Sequence, residues 1–290
     1  LFNFAGELKN EGAITILAGP QAGPDYKGEI DWQTYPHRFK GLSHHFSFAL
    51  HGPAQQIIPV LASGFDKDIS KFEGILCRDE NDGMIENPPV PWDDAWLSKV
   101  DWQTLHLLKD AAFEPLTITT AQILQQIGCQ HAAKERQISI DYPWRLRKKE
   151  SQPLAVSISQ KGCSFCDVAA DKGYMGALNE TAIKEQLLCL PLGPDKRKIP
   201  FELINESPLF KLSRIFELAD ELSIELSQIN LTLRADYLLK GLKSLERALK
   251  IATKKNVRVL LASIGFESFD DTILKNLNKG VTRQTNLDAI

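Results

Sequence analysis

The second half of the chain alternates short apolar runs with helical segments, and this alternation restricts the fold more than any other feature. Apolar, β-rich runs occur at 154–159 (LAVSIS), 200–204 (PFELI), within 224–233, and at 257–264 (VRVLLASI). Segments with a helical spacing of apolar residues separate them. Strands joined by such helices predict parallel neighbours, and a nearly continuous apolar strand predicts cover on both faces. We therefore predict an α/β fold, either a βα-barrel or a doubly wound sheet.

The distribution of aromatic and histidine residues predicts where the chain divides. All 6 His and all 5 Trp precede residue 145. Residues 63–150 carry a Pro-rich stretch and a basic run at 145–149, which is typical of a connector. We predict a first domain at 1–62, a connector at 63–150 and a second domain at 151–290. A mechanism confined to the part after residue 145 could not use histidine as its acid or base.

Charge and composition exclude several classes of protein. The net charge of -3 gives no overall reason to expect a nucleic acid or an anionic membrane as partner. The longest uncharged stretch, 41–65, contains histidines and prolines that do not suit a membrane span. No signal peptide is visible at the start. Five cysteines are too few and odd in number for a disulfide framework, so we expect a reducing cytoplasm.

Reactive and charged side chains follow each predicted strand. Because the carboxyl ends of parallel strands meet at one edge, these side chains would face one pocket. Each charged residue alone has a simpler explanation, such as a helix N-terminus or a local ion pair. Their repetition at one rim favours a site. The residues are Cys163, Cys166, Asn205, Glu206, Arg234 and Glu267.

The Cys163-x-x-Cys166 pair allows several kinds of site. Structural zinc needs a second ligand pair at similar spacing, which the chain lacks. A thioredoxin-like dithiol lies at a helix start, and four strand–helix units are foreign to that fold. An iron–sulfur cluster held by thiolates remains.

At this point the sequence resembles a known family, the radical S-adenosylmethionine (SAM) enzymes that carry an N-terminal cobalamin-binding domain. The resemblance rests on 161–167 (KGCSFCD), 201–206 (FELINE), 265–270 (GFESFD) and 277–282 (LNKGVT). Residues 14–24 (ITILAGPQAGP) are similar to a late strand and Gly-rich turn of the cobalamin-binding fold. The resemblance implies a partial Rossmann-like cobalamin-binding domain followed by a partial (βα)6-type radical SAM barrel.

The resemblance also implies cofactors and roles. In this family three thiolates hold a 4Fe-4S cluster, and reductive cleavage of SAM gives a 5'-deoxyadenosyl radical that abstracts hydrogen, often for methyl transfer through cobalamin. The partners would be an electron donor and a substrate that the sequence does not name. By resemblance, Cys163 and Cys166 would ligate iron, Phe165 would lie against adenine, Glu206, Arg234 and Glu267 would orient SAM, and Gly19, Gln21 and Ala22 would line a groove for the cobalamin tail.

The sequence departs from the family pattern at the first cysteine. The family has CxxxCxxC, whereas this chain has only CxxC, with Ser159 where a first cysteine would stand. Cys189 is predicted near a helix end, away from the rim, and Cys129 or Cys77 would have to approach through the connector. An unusual third ligand, a non-cysteine ligand and a degenerate site all remain open. Two alternative functions follow, a non-catalytic barrel-shaped binding module and a dithiol oxidoreductase using Cys163 and Cys166. The chain also lacks the front of the first domain and two of six barrel strands, so we expect it to be a fragment.

Overall fold

The structure is a computed structural model that describes residues 1–19, 22–29, 32–36, 38–64, 68–91, 93–141, 155–166 and 174–290. Gln21, the basic run 145–149, residue 154 and Asp167 lie outside the described residues. The chain forms two compact units, Leu1–Trp96 and Leu97–Ile290. This division lies inside the stretch predicted as a connector.

The first unit is built on a mixed four-stranded sheet. Its strands are β1 (Ile16–Leu17), β2 (Phe48–Leu50), β3 (Ile75–Arg78) and β4 (Met84–Glu86), in that spatial order. Only β1 and β2 are parallel, and the other neighbours are antiparallel. Of the predicted Rossmann-like arrangement of parallel strands, the described residues show the pair β1 and β2. The helices in this part of the chain are α1 (Phe2–Asn10), α2 (Ala22–Lys27), α3 (Ala54–Ser63) and α4 (Asp94–Ser98), the last of which ends in the second unit.

A four-stranded parallel sheet organises the second unit. Its strands are β7 (Ala121–Leu124), β12 (Phe201–Ile204), β13 (Gln228–Arg234) and β14 (Arg258–Gly265), and they lie side by side in chain order. The predicted α/β class with parallel strands is confirmed. A strand order that increases along the chain without reversal is typical of a βα-barrel wall, whereas a doubly wound sheet reverses at a switch point.

Helices cover one face of this sheet. They are α5 (Glu180–Cys189), α6 (Leu212–Glu221) and α7 (Ala235–Lys254), followed by the short α8 (Asp271–Asn276) and α9 (Arg283–Asp288). The Asn179 side chain caps α5 by accepting a hydrogen bond from the Ala182 N–H. Ser207 makes no capping bond, Pro208–Lys211 forms a 3-10 turn, and α6 begins at Leu212.

The predicted first strand of the sheet is also wrong. Residues 155–161 form β10, which pairs antiparallel with β9 (Glu135–Asp141), outside the parallel sheet. The position beside β12 belongs instead to β7, whose short AQIL sequence lies inside the predicted connector. The Gln186 side chain bonds both the N–H and the carbonyl of Leu124, and so supplies hydrogen bonds that a further strand would otherwise make.

The expectation of cover on both faces is wrong as well. Inward residues such as Phe201, Leu203 and Leu231 are buried against the helices. Residues of the opposite face are half-buried or exposed, as the alternation in β12 and β13 shows. Leu260 in the edge strand β14 is 39% exposed. The sheet therefore has a helix-covered face and, among the described residues, an open face.

Three antiparallel pairs complete the second unit. They are β5 (His106–Lys109) with β6 (Ala112–Pro115), β8 (Gln126–Gly128) with β11 (Tyr174–Ala177), and β9 with β10. In the described part of the chain, no helix has the length and apolar character that crossing a membrane requires.

Candidate functional site

The predicted cysteine pair lies on a tight turn that follows β10. The Cys166 N–H donates to the Cys163 carbonyl at 3.1 Å, so both thiols belong to one turn. Cys163 is buried, whereas Cys166 is partly accessible. Since β10 is outside the parallel sheet, strand geometry alone does not bring these thiols to the rim.

The loop 277–280 holds the cysteine turn against the sheet. The Ser164 N–H donates to the Leu277 carbonyl at 3.0 Å, and the Asn278 side chain donates to the Gly162 carbonyl at 2.6 Å. Asn278 has a φ of 49°, in the left-handed region where asparagine is well tolerated. The LNKG segment of the sequence motif thus acts as a backbone support for the cysteine turn.

Arg234, at the end of β13, joins three parts of the site. Its guanidinium donates to the Cys163 sulfur at 3.6 Å and to the carbonyl of Lys279, and its Nε donates to Asp236 at 3.0 Å. The side chain is almost fully buried. All three nitrogens of the guanidinium are therefore engaged with the chain itself. This geometry favours a role in positioning the cysteine turn over a direct contact with a ligand.

Cys129 lies on another element, within electrostatic range of the same guanidinium. It follows β8 and immediately precedes the 3-10 turn Gln130–Ala132. Burial raises the pKa of the Cys129 thiol, and the backbone N–H groups at the start of that turn, together with Arg234, oppose the rise. Burial likewise raises the pKa of the Cys163 thiol, again opposed by Arg234. Both sulfurs therefore lie within electrostatic range of one cation.

The backbone after Cys129 is fixed to the same loop. The His131 ring nitrogen lies 2.7 Å from the Asn278 carbonyl, and both residues are buried. A Cβ added to Gly280 would stand 2.7 Å from the His131 ring, so glycine allows this close approach. The loop 277–280 therefore supports Cys129 and Cys163 from one side.

Glu206 lies after β12, close to these groups. Burial raises the pKa of its carboxyl, while Arg234 and Lys279 act in the opposite direction. The preceding Asn205 is buried and donates to Gln125 Oε1 at 2.6 Å, which links the ends of β12 and β7. The predicted strand-end position of Glu206 thus brings its carboxylate near Arg234.

Glu267 is engaged in an ion pair. Its Oε1 lies 2.9 Å from Lys279 Nζ, and the Lys279 side chain is only 5% exposed. The same ammonium lies 5.8 Å from the centre of the Phe165 ring, which is 50% exposed. Lys279 therefore connects two of the predicted SAM-binding residues, Phe165 and Glu267.

The predicted site residues of the first unit are not brought to a comparable cluster. Gly19 is exposed with a φ of 122°, and a Cβ added to it would meet no atom within 4 Å. The Ala22 side chain is 2% exposed and packs in the core with Tyr26 and Leu76. Gln21 lies outside the described residues.

The other cysteines are placed differently. Cys77 is buried in the core of the first unit, and Cys189 is exposed at the end of α5. Among the described residues, no three His, Cys, Asp or Glu side chains are close enough to ligate a single metal ion.

Sequence reasoning did not assign roles to Cys129, His131 or Lys279. Cys129 was considered only as one of three remaining thiols, because its strand lay in the unassigned connector. The signal that could have identified it is the short strand-like run AQIL at 121–124, which ends a few residues before Cys129.

Comparison with known proteins supports the fold. No protein-family model matches the sequence, and the search of curated proteins finds no match. Among solved structures, the cobalamin-dependent S-adenosylmethionine radical enzyme OxsB with aqua-cobalamin bound matches at a TM-score of 0.51 and 14% identity, over 99% of this chain and 36% of that one. OxsB with aqua-cobalamin and S-adenosylmethionine bound matches at a TM-score of 0.48 and 12% identity, over 99% of this chain and 36% of that one. A third match is the radical S-adenosylmethionine methyltransferase TsrM from Kitasatospora setae, with cobalamin and a [4Fe-4S] cluster bound. Its TM-score is 0.41 and its identity 11%, over 89% of this chain and 51% of that one.

Only the first of these likenesses exceeds a TM-score of 0.5, and at that identity it concerns the fold alone. The fold of this chain is thus similar to part of a cobalamin-dependent radical SAM enzyme. The chain spans about a third of that protein, since the match covers 36% of it. The family resemblance predicted from the motifs is confirmed at the level of the fold.

Proposed function

We propose that the chain is the part of a radical SAM enzyme that holds the iron–sulfur cluster and SAM. The observation that carries the proposal is the loop 277–280, which bonds both the cysteine turn and His131, two residues after Cys129, while Arg234 at the end of β13 donates to the Cys163 sulfur. With Cys166 on the same turn as Cys163, the chain supplies three thiols from two elements. Cys129 is then the unusual third ligand, separated from the pair by β9 and β10.

The chemistry of these residues fits a multi-iron cluster. Thiolates are the usual ligands of iron–sulfur clusters, and hydrogen bonds to their sulfurs adjust the cluster's reduction potential. Cys129 has backbone N–H donors, and Cys163 has the Arg234 guanidinium.

Other rim residues suit the recognition of SAM. The Phe165 ring is half-exposed beside the cysteine turn and could stack on adenine. Glu206 offers a carboxylate to an ammonium group, as the resemblance implies. Lys279 holds Glu267 in place through their ion pair. In this proposal, Arg234 acts as a positioning residue.

The cluster, when bound, supplies the electron that cleaves SAM reductively. The protein's own residues keep the thiols together, orient SAM and limit access of water to Cys163. An external electron donor is required as a partner. The first unit would belong to the cobalamin-linked part of the enzyme, a proposal supported by the motif resemblance and the fold match. Methyl transfer is the reaction that this resemblance favours.

The dithiol oxidoreductase alternative is not favoured. Redox-active cysteines are accessible and have lowered pKa values. Cys163 is 8% exposed, and burial raises the pKa of its thiol. The degenerate binding module rested on a missing third cysteine, and Cys129 fills that place.

Anaerobic reconstitution with iron and sulfide tests the proposal. The full chain is expected to bind about four irons and to show the visible charge-transfer bands of a cluster bound by thiolates. Cys129→Ala is expected to lose most of the bound iron, because it removes one of the three protein ligands.

Cys189→Ala is the matched control, since that thiol is exposed at the end of a helix away from the rim. Equal iron content in Cys129→Ala and Cys189→Ala would exclude Cys129 as a ligand. Fewer than four irons per wild-type chain under saturating conditions would count against the whole proposal.

A further inference from the structure

We propose that Glu202, on the open face of the parallel sheet, binds a protonated amino or guanidino group of the substrate. The inference rests on the proposed function and deepens it, because it gives a chemical class to the unidentified substrate. Glu202 lies within the 201–206 motif but is not one of the rim residues, and the motif resemblance gives it no role.

Glu202 lies in the middle of a polar row that crosses three strands. It occupies the second position of β12, which has neighbours on both sides. In register, Glu202 is paired with Gln122 of β7 and with Asn230 of β13. Its strand neighbours Phe201 and Leu203 are buried against the helices, so the Glu202 side chain points to the open face.

Two neutral donors hold the carboxylate in place. Thr232 Oγ1 donates to Glu202 Oε1 at 2.9 Å, and Gln122 Nε2 donates to Oε2 at 3.4 Å. A carboxylate has about four acceptor sites, so these bonds leave others free. No Lys, Arg or His among the described residues forms an ion pair with Glu202. Hydrogen bonds thus orient the negative charge, and no cation among the described residues pairs with it.

The position is unusual for a carboxylate that serves only solubility. Glutamate is depleted in strands, and Glu202 lies in a central strand that has a neighbour on each side. Two neighbouring strands nevertheless supply side chains that orient this one. A group with a complementary positive charge is the occupant that this arrangement selects.

The open face also connects Glu202 to the proposed reaction site. Ile204 lies two residues further along β12 on the same face, roughly 7 Å towards the carboxyl end of the strand. Glu206 of the rim follows directly after the strand. A substrate anchored at Glu202 would thus pass an apolar side chain and reach the rim. We infer a substrate with a cationic end and a carbon skeleton several atoms long.

A series of probes with one apolar tail tests the charge preference. Ligand-observed NMR would measure binding of n-butylamine, n-butyramide and butyrate to the full chain. Wild-type protein is expected to bind the amine most tightly and butyrate least. Glu202→Gln retains the size of the side chain and one acceptor oxygen but removes its charge, and is expected to weaken amine binding about tenfold, as loss of a charged hydrogen bond does.

Glu246→Gln is the matched control, because Glu246 is exposed on α7 and its loss changes the net charge equally. The control is expected to bind the amine like the wild type. Equal binding of amine and butyrate by the wild type, absence of binding by all three probes, or unchanged amine binding by Glu202→Gln would each overturn the proposal. Circular dichroism of both variants confirms that they are folded. Because probe binding does not require iron, a failed reconstitution would remove the proposed function without changing this result.

Discussion

Arg234 and Glu206 show how a single residue at a strand end acquires its role from its neighbours. Both were predicted to orient a ligand, and both lie at the rim. Arg234 is fully engaged by Cys163, Asp236 and Lys279, and therefore holds the site together. Glu206 is the carboxylate whose neutral form is favoured by burial. The ionised Glu206 side chain therefore lowers the free energy of unfolding at neutral pH. A residue with a purely structural role would not require this cost.

The substitution Glu206→Gln is expected to stabilise the protein at pH 7.5. Because burial raises the pKa of Glu206 above its ordinary 4.5, the folded state binds the proton more tightly than the unfolded state. Proton binding by Glu206 therefore contributes fully to the free energy of unfolding below pH 4.5. This contribution is lost as the pH rises through the pKa of Glu206 in the folded state. The glutamine side chain stays neutral, so the gain in free energy of unfolding over wild type should grow from pH 4.5 to 7.5.

Urea denaturation at several pH values measures this difference. Glu246→Gln, at an exposed position, should show no such dependence on pH. A constant difference between Glu206→Gln and wild type across this range would contradict the prediction.

At the scale of elements, the loop 277–280 links the cysteine turn to the sheet. Its side-chain and backbone groups bond Gly162, Ser164, His131 and Arg234. Strands and helices alone would leave β10, and the thiols after it, without a defined position at the rim. The short loop is therefore as important to the site as the strand ends.

Substitutions at Asn278 separate the two contributions of this loop. Asn278→Gly removes the hydrogen bond to the Gly162 carbonyl but tolerates the φ of 49°, and should cost about 1–3 kcal/mol. Asn278→Ala adds about 1 kcal/mol of left-handed strain. The expected order of stability is wild type, then glycine, then alanine, as measured by chemical denaturation.

Asn256→Gly is the control, because Asn256 also has a left-handed φ, of 52°, at the end of α7. Glycine is favoured at such a position, so stability should not fall. Equal losses at the two positions would mean that the loss at Asn278 does not come from its bond to Gly162.

At the scale of the whole molecule, each compact unit has its own hydrophobic core. Leu76 is fully buried in a core cluster of the first unit, and Leu212 in that of the second. Units with separate cores can unfold as separate cooperative blocks. The proposed cluster site belongs to the second unit by itself.

Leu76→Ala and Leu212→Ala are expected to act on different units. Each truncation of a buried leucine should cost about 2–5 kcal/mol. Hydrogen exchange followed by mass spectrometry should show loss of protection in residues 1–96 for the first variant and in residues 97–290 for the second. Loss of protection across both units in either variant would show one cooperative block.

The sequence by itself determined the α/β class, the parallel strands and the family likeness, because these depend on local periodicity and on short motifs. Strands β12, β13 and β14 lie where their patterns predict, and helices α6 and α7 separate them. The short strand β7 and the displaced β10 were misassigned, because hydrogen bonding between distant segments decides which apolar run joins a sheet. Only the tertiary structure joined His131, two residues after Cys129, to the loop that also holds the Cys163 turn, and aligned Glu202 with Gln122 and Thr232. Such contacts join residues far apart in the chain, where no periodicity connects them.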